Sequence, residues 1–561
     1  MLDVIIRGGK IVDGSGLPSY LGDVGIKGGR IASVGRPLAD AARVIDATGK
    51  VVTPGFIDPH THYDAQLCFD PYAYPAIEHG ITTVVTGNCS LSLAPVPAPL
   101  RERFSRMFRL IEEMPEAAFA QGVDWRWGES FGGMLDALKG NLALNVAPLV
   151  GHSVLRLAVL GEDVRRPATT DEVAAMCALL RECLDAGAVG MSTSYVDIEE
   201  DFNPVPCRWA EHSELEALCT VLGERGRMLQ IVHEFYDAGL TVSRVEMLGR
   251  LSRTYGIPTT LSPIFHSKAV PDACDKVLAA VEREWAEGGR VWPQVQTRPI
   301  DISWTLDQRS IMFLALPGWW PVLSLPTKEQ KLAAFADPEK RAALVGTINM
   351  LSGLPQAGLD PSGFIVREVA LEQNRDLVGR TLGEIAEERE VTPGDLLVDL
   401  SVEEDLGTWF MRADIGHSDA DAVGGLLAHP YVHVGASDGG AHVGSFATYG
   451  DTGYLVSRYV RKTGALRLEE AVKKITLDPA TIWGLPERGL LREDYVADVA
   501  VFDPDTLDRG PEVASDDFPG GGVRWIRHSV GMDTVLVGGE VTWSATEGYV
   551  DGARAGGLAT R

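Results

Sequence analysis

The chain lacks any uninterrupted apolar run near the ~18 residues that a membrane-spanning helix requires, so no membrane association of that kind is expected. It is also poor in positive charge: 51 Lys and Arg stand against 78 Asp and Glu, a formal net charge of −27. Phosphate backbones are held by clustered Lys and Arg, so a nucleic-acid partner is not expected either. Cysteine is scarce, with seven in 561 residues, an odd number without framework spacing, which fits a reducing compartment and free thiols. The N-terminal MLDVIIRGGKIVDGSG has neither the apolar stretch nor the small-residue cleavage pattern of a signal peptide, and a cytoplasmic location is expected. The remainder is ordinary for a globular protein, 45% hydrophobic and 23% charged, and long enough for one large domain and a smaller one.

Two textures alternate along the chain. DVIIRGGKIVD, DVGIKGGRIASVG and RVIDATGKVVTPG at the start, with ADVAVFDPD and TVLVGGEVTW near the end, are β-branched runs broken by Gly-Gly and Asp-Gly-type turns. They predict a small β-sandwich domain built from both termini, residues 1–52 and 485–561. Between them, eight apolar runs read as strands: GFIDPHTH, TTVVTGNC, NVAPLVGH, AVGMSTSY, MLQIVHE, TTLSPIFH, RVWPQVQTR and YVHVGASD. Helical segments such as DEVAAMCALLRECLDAG and SELEALCTVLGERG separate them, each ending at a glycine in the capping position. Strand and helix alternating eight times predict an α/β fold, a (β/α)₈ TIM-like barrel over 53–484. About 130 residues separate the last two strands, far more than a crossover helix needs. An insertion over roughly 305–360 follows, either a lid over the barrel mouth or a structural embellishment.

Nearly every one of these strands closes on a polar or reactive residue, and strand C-termini converge on the catalytic face of such a barrel. His60 and His62 are two apart at the end of the first strand, so the period of two turns both imidazoles to one side. Two neutral imidazoles on one face form a natural pair of metal donors. Asp438 closes the last strand, where a carboxylate could bind metal, serve as general base toward a metal-activated water and then act as general acid toward the departing nitrogen. Its bland alternative is a carboxylate that only orients a histidine.

VVTPGFIDPHTHYD resembles the opening signature of the amidohydrolase superfamily, ASDGGAH resembles its last-strand aspartate motif, and ADVAVFDPD with VLVGGEVT resembles its returning sandwich strands. The resemblance covers nearly the whole chain and implies a metal-dependent hydrolase of C–N bonds with zinc, one or two divalent ions, as cofactor. Two-metal members usually bridge the ions with a carboxylated lysine at strand four; AVGMSTSY has no lysine there. Strand two instead ends GNCS, and Cys89 resembles the bridging cysteine of the N-acyl-D-amino-acid deacylase branch, a thiolate being anionic and a good zinc ligand. A buried structural cysteine is the alternative. The same resemblance implies His233 and His266, at the ends of strands five and six, as the remaining donors. His152 lines the site without binding metal, and His212, His429, His433 and His442 compete less well.

The resemblance also implies a substrate carboxylate held near the metal by Lys268, two residues after His266, with Tyr195 at the end of strand four helping to bind the substrate. The branch carries an arginine about eleven positions after the last-strand aspartate, where this chain reads VGSFATYGDTGY. A bidentate clamp on a carboxylate is then missing unless Arg298 or Arg156 supplies the guanidinium, which keeps a related amide, carbamate or cyclic amide open. Three readings follow: a deacylase of N-acyl-D-amino acids or a close relative; an amidohydrolase of a cyclic amide, carbamate or ester without a free carboxylate; and a non-catalytic barrel used for binding. The partner expected is a small-molecule amide, and a homo-oligomer is compatible with each reading.

Overall fold

Each of the eight apolar runs is a strand of one parallel sheet. A computed structural model describes the chain except residues 37, 39, 269, 314–315, 353–358, 436 and 561. The strands are β1 (Phe56–Asp58), β2 (Ile81–Thr86), β3 (Asn145–Gly151), β4 (Gly190–Ser194), β5 (Met228–Val232), β6 (Thr259–Ser262), β7 (Val291–Val295) and β8 (His433–Val434). They pair in sequence order from β1 to β8. Just beyond β1 and β8, Thr61 bridges Gly439 in parallel and the His62 amide donates to the Gly439 carbonyl at 2.7 Å, which closes the ring at its C-terminal end. The architecture is a TIM-like barrel.

Strands covered on both faces read as continuous apolar runs, and all five residues of β5 are buried. Period-two alternation sends Leu229, Ile231, Leu261 and Val291 into a core shared with helical Leu218, Leu248 and Val281. Their neighbours Gln230, Thr260 and Gln294 face the other way and satisfy one another's row: Gln230 donates to the Ser262 hydroxyl at 3.1 Å, and Gln294 to the Thr260 hydroxyl at 3.1 Å. The two glycine-ended segments are helices Thr170–Ala186 and His212–Arg225. Gly226 adopts the left-handed conformation expected of a C-terminal cap, with its N–H returned to Leu222 and Gly223. No helix of the described residues is long and apolar enough to cross a membrane.

The two ends of the chain meet in one nine-stranded sheet. Its join is the antiparallel pairing of Val51–Pro54 with Val499–Phe502, whose residues Val52 and Val501 enter a separate core with Val4, Ile6, Val24 and Leu536. Only Gly55 separates Val51–Pro54 from β1, so the terminal sheet sets the position of the first barrel strand directly.

The insertion is broader than 305–360. A core of its own runs from Ile302 to Phe410, around a three-stranded sheet of Ile302–Trp304, Trp409–Arg412 and Ile365–Glu368. Strands of three and four residues have too little periodicity to be read from sequence, which is why only the helical part was legible. Residues 314–315 and 353–358 of the expected span lie outside the described residues.

Candidate metal centre

The closure of the barrel brings four reactive side chains together. His60 Nε2 lies 3.3 Å from Asp438 Oδ1 and 3.5 Å from Cys89 Sγ, and His62 Nε2 lies 3.9 and 3.8 Å from the same two atoms. Donors held ~2.0–2.3 Å from one tetrahedral ion stand roughly 3.3–3.7 Å apart. The separations around His60 fall within that range and those around His62 exceed it by 0.1–0.2 Å, so His60, His62 and Cys89 stand close enough to share one ion.

The hydrogen bond behind His60 fixes which of its nitrogens carries the lone pair. The Trp292 carbonyl only accepts, so the Thr260 hydroxyl donates to it at 2.6 Å and accepts from Gln294 Nε2. Gln294 Oε1 is then the atom 3.2 Å from His60 Nδ1, which must donate to it. The His60 lone pair consequently sits on Nε2, toward Cys89 and Asp438. His62 turns Nδ1 to the buried Glu112 carboxylate at 2.9 Å and Nε2 toward the same pair. His233, one residue past β5, donates from Nδ1 to the Ser262 carbonyl at 3.1 Å and leaves a buried Nε2 with no partner.

Backbone conformation supports a built site. Cys89 and Asp438 both hold positive φ, 52° and 58°, in the left-handed region that costs a non-glycine residue about 1–2 kcal/mol. The neighbouring strand accommodates the turn at Cys89 through Gly151, whose Cβ would stand 2.1 Å from the Ser90 carbonyl oxygen.

The electrostatics call for positive charge. Burial pushes the Cys89 thiol well above its ordinary range, and the carboxylates of Asp197, Glu112 and Asp438 push in the same direction. Burial likewise lifts the Asp438 carboxyl to about 6 against the pull of His62 and Arg298, and lifts Asp197 to about 6. His60 is held far below the usual imidazole range by burial and by its neighbour His62, so it is neutral. A divalent cation beside these groups stabilises thiolate and carboxylate alike, and the set of two imidazoles, a thiolate and a carboxylate suits zinc.

These side chains open into one cavity of about 600 Å³, whose wall includes His60, His62, Cys89, His233 and Asp438. His266 is buried but outside that wall, with its Nδ1 unpartnered. Lys268 is exposed and also outside the wall. Tyr195 turns its hydroxyl to Met247 Sδ at 3.6 Å, with the Arg244 guanidinium 3.5 Å over its ring. His152 is spent on Glu214 at 2.8 Å and Thr193 at 3.0 Å. Arg298 is buried behind Asp438, donating to the Ser437 carbonyl at 2.6 Å and paired with Asp451 at 2.9 Å. Arg156 is buried, with its two terminal nitrogens on Glu214 and the carbonyls of Val164 and Arg166. None of these six lines the cavity.

Conversely, Glu112, Asp197 and His442 line the wall, and Gln294 supports His60 from behind. His442 belongs to ASDGGAH and was legible as a motif member. Glu112 ends the amphipathic helix Arg101–Glu112, where a carboxylate reads as surface. Its contact with His62 predicts that Glu112→Gln weakens zinc binding by about 10–100-fold, measured by chelator competition. An unchanged affinity would show that His62 needs no such support.

Comparison with known proteins agrees with this geometry. Residues 43–254 and 373–543 match the amidohydrolase family. D-aminoacylase of Alcaligenes xylosoxydans is 30% identical over 553 residues, covering 96% of this chain and 94% of that protein. N-acyl-D-aspartate deacylase of the same organism is 30% identical over 560 residues, covering 99% and 93%. The crystal structure of N-acyl-D-glutamate deacylase from Bordetella bronchiseptica, complexed with zinc and a phosphonate mimic of the tetrahedral intermediate, superposes with a TM-score of 0.68 at 28% identity, covering 100% of each chain. A family match over most of the chain, with the site at the closed end of the barrel, places this protein in the amidohydrolase family, in its D-aminoacylase-like branch, as a metal-dependent hydrolase of C–N amide bonds.

Proposed function

We propose that the protein is a deacylase that hydrolyses the amide bond of an N-acyl compound, with zinc held by His60, His62, Cys89 and Asp438. His233 and His266, each with a buried ring nitrogen that has no partner, are the donors available to a second divalent ion. The cation supplies, when bound, polarisation of the amide carbonyl and acidification of water. The remaining chemistry belongs to the chain. Asp438 takes a proton from the attacking water, whose oxygen forms the new bond to the acyl carbon. The same carboxyl returns that proton to the amide nitrogen as the C–N bond breaks, leaving a carboxylic acid and an amine. Gln294 and Glu112 keep His60 and His62 in the tautomers that present Nε2.

The observation that carries this reading is the meeting of His60, His62 and Cys89 within donor distance of one another, with Asp438 3.3 and 3.9 Å from the two imidazoles, where the first and last barrel segments bridge. The likeness to D-aminoacylase and to N-acyl-D-glutamate deacylase supports the class of bond cleaved, and N-acyl-D-amino acids are the first substrates to test. We also read residues 1–52 and 485–561 as a β-sandwich domain and the insertion as the wall of the cavity mouth, since Ile302 and Trp320 line it. The test is metal removal. Protein stripped by chelator should lose at least ~100-fold in amide hydrolysis over a panel of N-acyl-D-amino acids and their carboxamides, and zinc should restore it. Full activity in the stripped protein would refute the proposal.

A further inference from the structure

The wall of the cavity contains no Lys or Arg among the described residues. Nearby basic groups are engaged elsewhere. Arg244 is paired with both oxygens of Glu234, and Arg208 donates to the carbonyls of Val196 and Asp197. Arg298 and Arg156 are buried on Asp451 and Glu214, and Lys268 points to solvent. What the wall does contain is negative: the Cys89 thiolate of the loaded site, Glu112, Asp197 and Asp438, four groups in all. One or two divalent cations cancel two or four of those charges and leave no surplus to attract an anion.

The rest of the wall is largely hydrocarbon, including Ile111, Ile198, Ile264, Ile300, Trp320 and Phe446. Its mouth is apolar as well: Phe235, Tyr236 and Val270 line the cavity yet are 43%, 72% and 48% exposed. Large exposed hydrophobic side chains gathered at one opening mark a binding surface. Asp197 adds a directional element, because its Oδ2 is buried with no partner while its backbone N–H is held by the Ser194 hydroxyl at 3.0 Å. An ionised carboxylate only accepts hydrogen bonds, so it suits an N–H donor and repels a second carboxylate.

We propose that this site takes an amide without a free carboxylate, bearing a large apolar group, and that Asp197 accepts a hydrogen bond from an N–H of that substrate. The inference rests on the deacylase reading for its reaction, but not for its binding preference. A substrate carboxylate would give up its water to a wall that offers no Lys or Arg and whose metal charge is already offset by its own anionic groups, and burying an unpaired charge is heavily disfavoured. An apolar chain gains by leaving water for the same wall, and a cavity of about 600 Å³ accommodates a ligand of that size.

The experiment uses matched pairs on the zinc-loaded full chain: N-decanoyl-D-leucine against N-decanoyl-D-leucinamide, and the two N-acetyl counterparts. The decanoyl carboxamide should exceed the decanoyl acid at least tenfold in kcat/KM, and exceed its own acetyl counterpart by as much. Calorimetric binding of the decanoyl pair to zinc-loaded Asp438→Asn protein should show the same order of affinity. If neither compound is hydrolysed but the carboxamide binds at least tenfold tighter, the deacylase reading fails and the inference stands. If the acid binds or reacts as well as the carboxamide, or the carboxamide does not bind, the inference is overturned. Asp197→Asn should raise affinity for the acid at least threefold relative to the carboxamide; an unchanged ratio would overturn the part assigned to Asp197.

Discussion

Asp438→Asn is expected to lower kcat by at least about 10³-fold while leaving the fold intact, since a positioned general base and acid contributes ~10²–10⁴-fold and one residue here serves as both. The variant isolates chemistry from structure unusually well. Asparagine matches aspartate in shape and is among the few side chains that tolerate the left-handed backbone, and φ at Asp438 is 58°. The backbone around it is set independently of the carboxylate: the Ser437 hydroxyl donates to Asp58 at 2.7 Å, the Gly439 N–H returns to that hydroxyl at 3.1 Å, and Arg298 holds the Ser437 carbonyl. The side-chain amide loses the ability to take a proton at neutral pH and carries no negative charge for the cation. His60, His62 and Cys89 still offer three donors. A melting temperature within a few degrees of the parent, with turnover nearly abolished, is the expected pair of results. Near-normal turnover would move the acid–base role to another group, of which Asp197 and Glu112 are the carboxylates in the wall.

Much of this architecture was legible because strand endings carry it. Eight apolar runs closing on polar residues imply a ring of strand C-termini, and that ring is what gathers His60, His62 and Cys89 and brings Asp438, nearly 380 positions after His60, to within 3.3 and 3.9 Å of the two imidazoles. Residues within one or two positions of a strand keep its pitch, which is why His233, directly after β5, faces the cavity. His62, Asp438 and His266 each lie four positions beyond their strands, where the loop rather than the strand period sets direction. Tyr195 and His152 adjoin their strands and each is turned to a local partner: an arginine stacked on the ring in one case, a buried glutamate in the other.

The supporting groups were hidden for a different reason. Gln294 lies in the middle of β7, and only the observed chain through Thr260 to the Trp292 carbonyl reveals that it fixes the tautomer of His60. Glu112 belongs to a helix between β2 and β3 that brings it under His62, a pairing of tertiary origin with no trace in spacing. The absent arginine, by contrast, was visible as an absence in VGSFATYGDTGY, and the cavity wall extends it: no guanidinium or ammonium takes its place among the described residues.

Cys89→Ala is expected to remove bound metal and activity together. Cys89 supplies the only thiolate among the clustered donors, and its Sγ lies within 3.8 Å of both imidazole Nε2 atoms. Alanine, like cysteine, carries a Cβ, so the change adds no backbone strain at φ 52°. It leaves two neutral imidazoles and one carboxylate, a set with one anionic donor fewer, and zinc affinity falls steeply with each lost thiolate. The other six cysteines are free thiols, and none of them belongs to the cluster, so none is placed to substitute.

The most direct measurement is therefore elemental metal analysis of the wild-type chain and Cys89→Ala, both purified without chelator and assayed for amide hydrolysis on the same preparations. The wild type should carry at least about one equivalent of zinc or a similar divalent metal per chain, and Cys89→Ala less than about a fifth of that with turnover lost in proportion. Metal retained at the wild-type level in Cys89→Ala, or an active wild type that holds none, would contradict a metal centre built on His60, His62, Cys89 and Asp438.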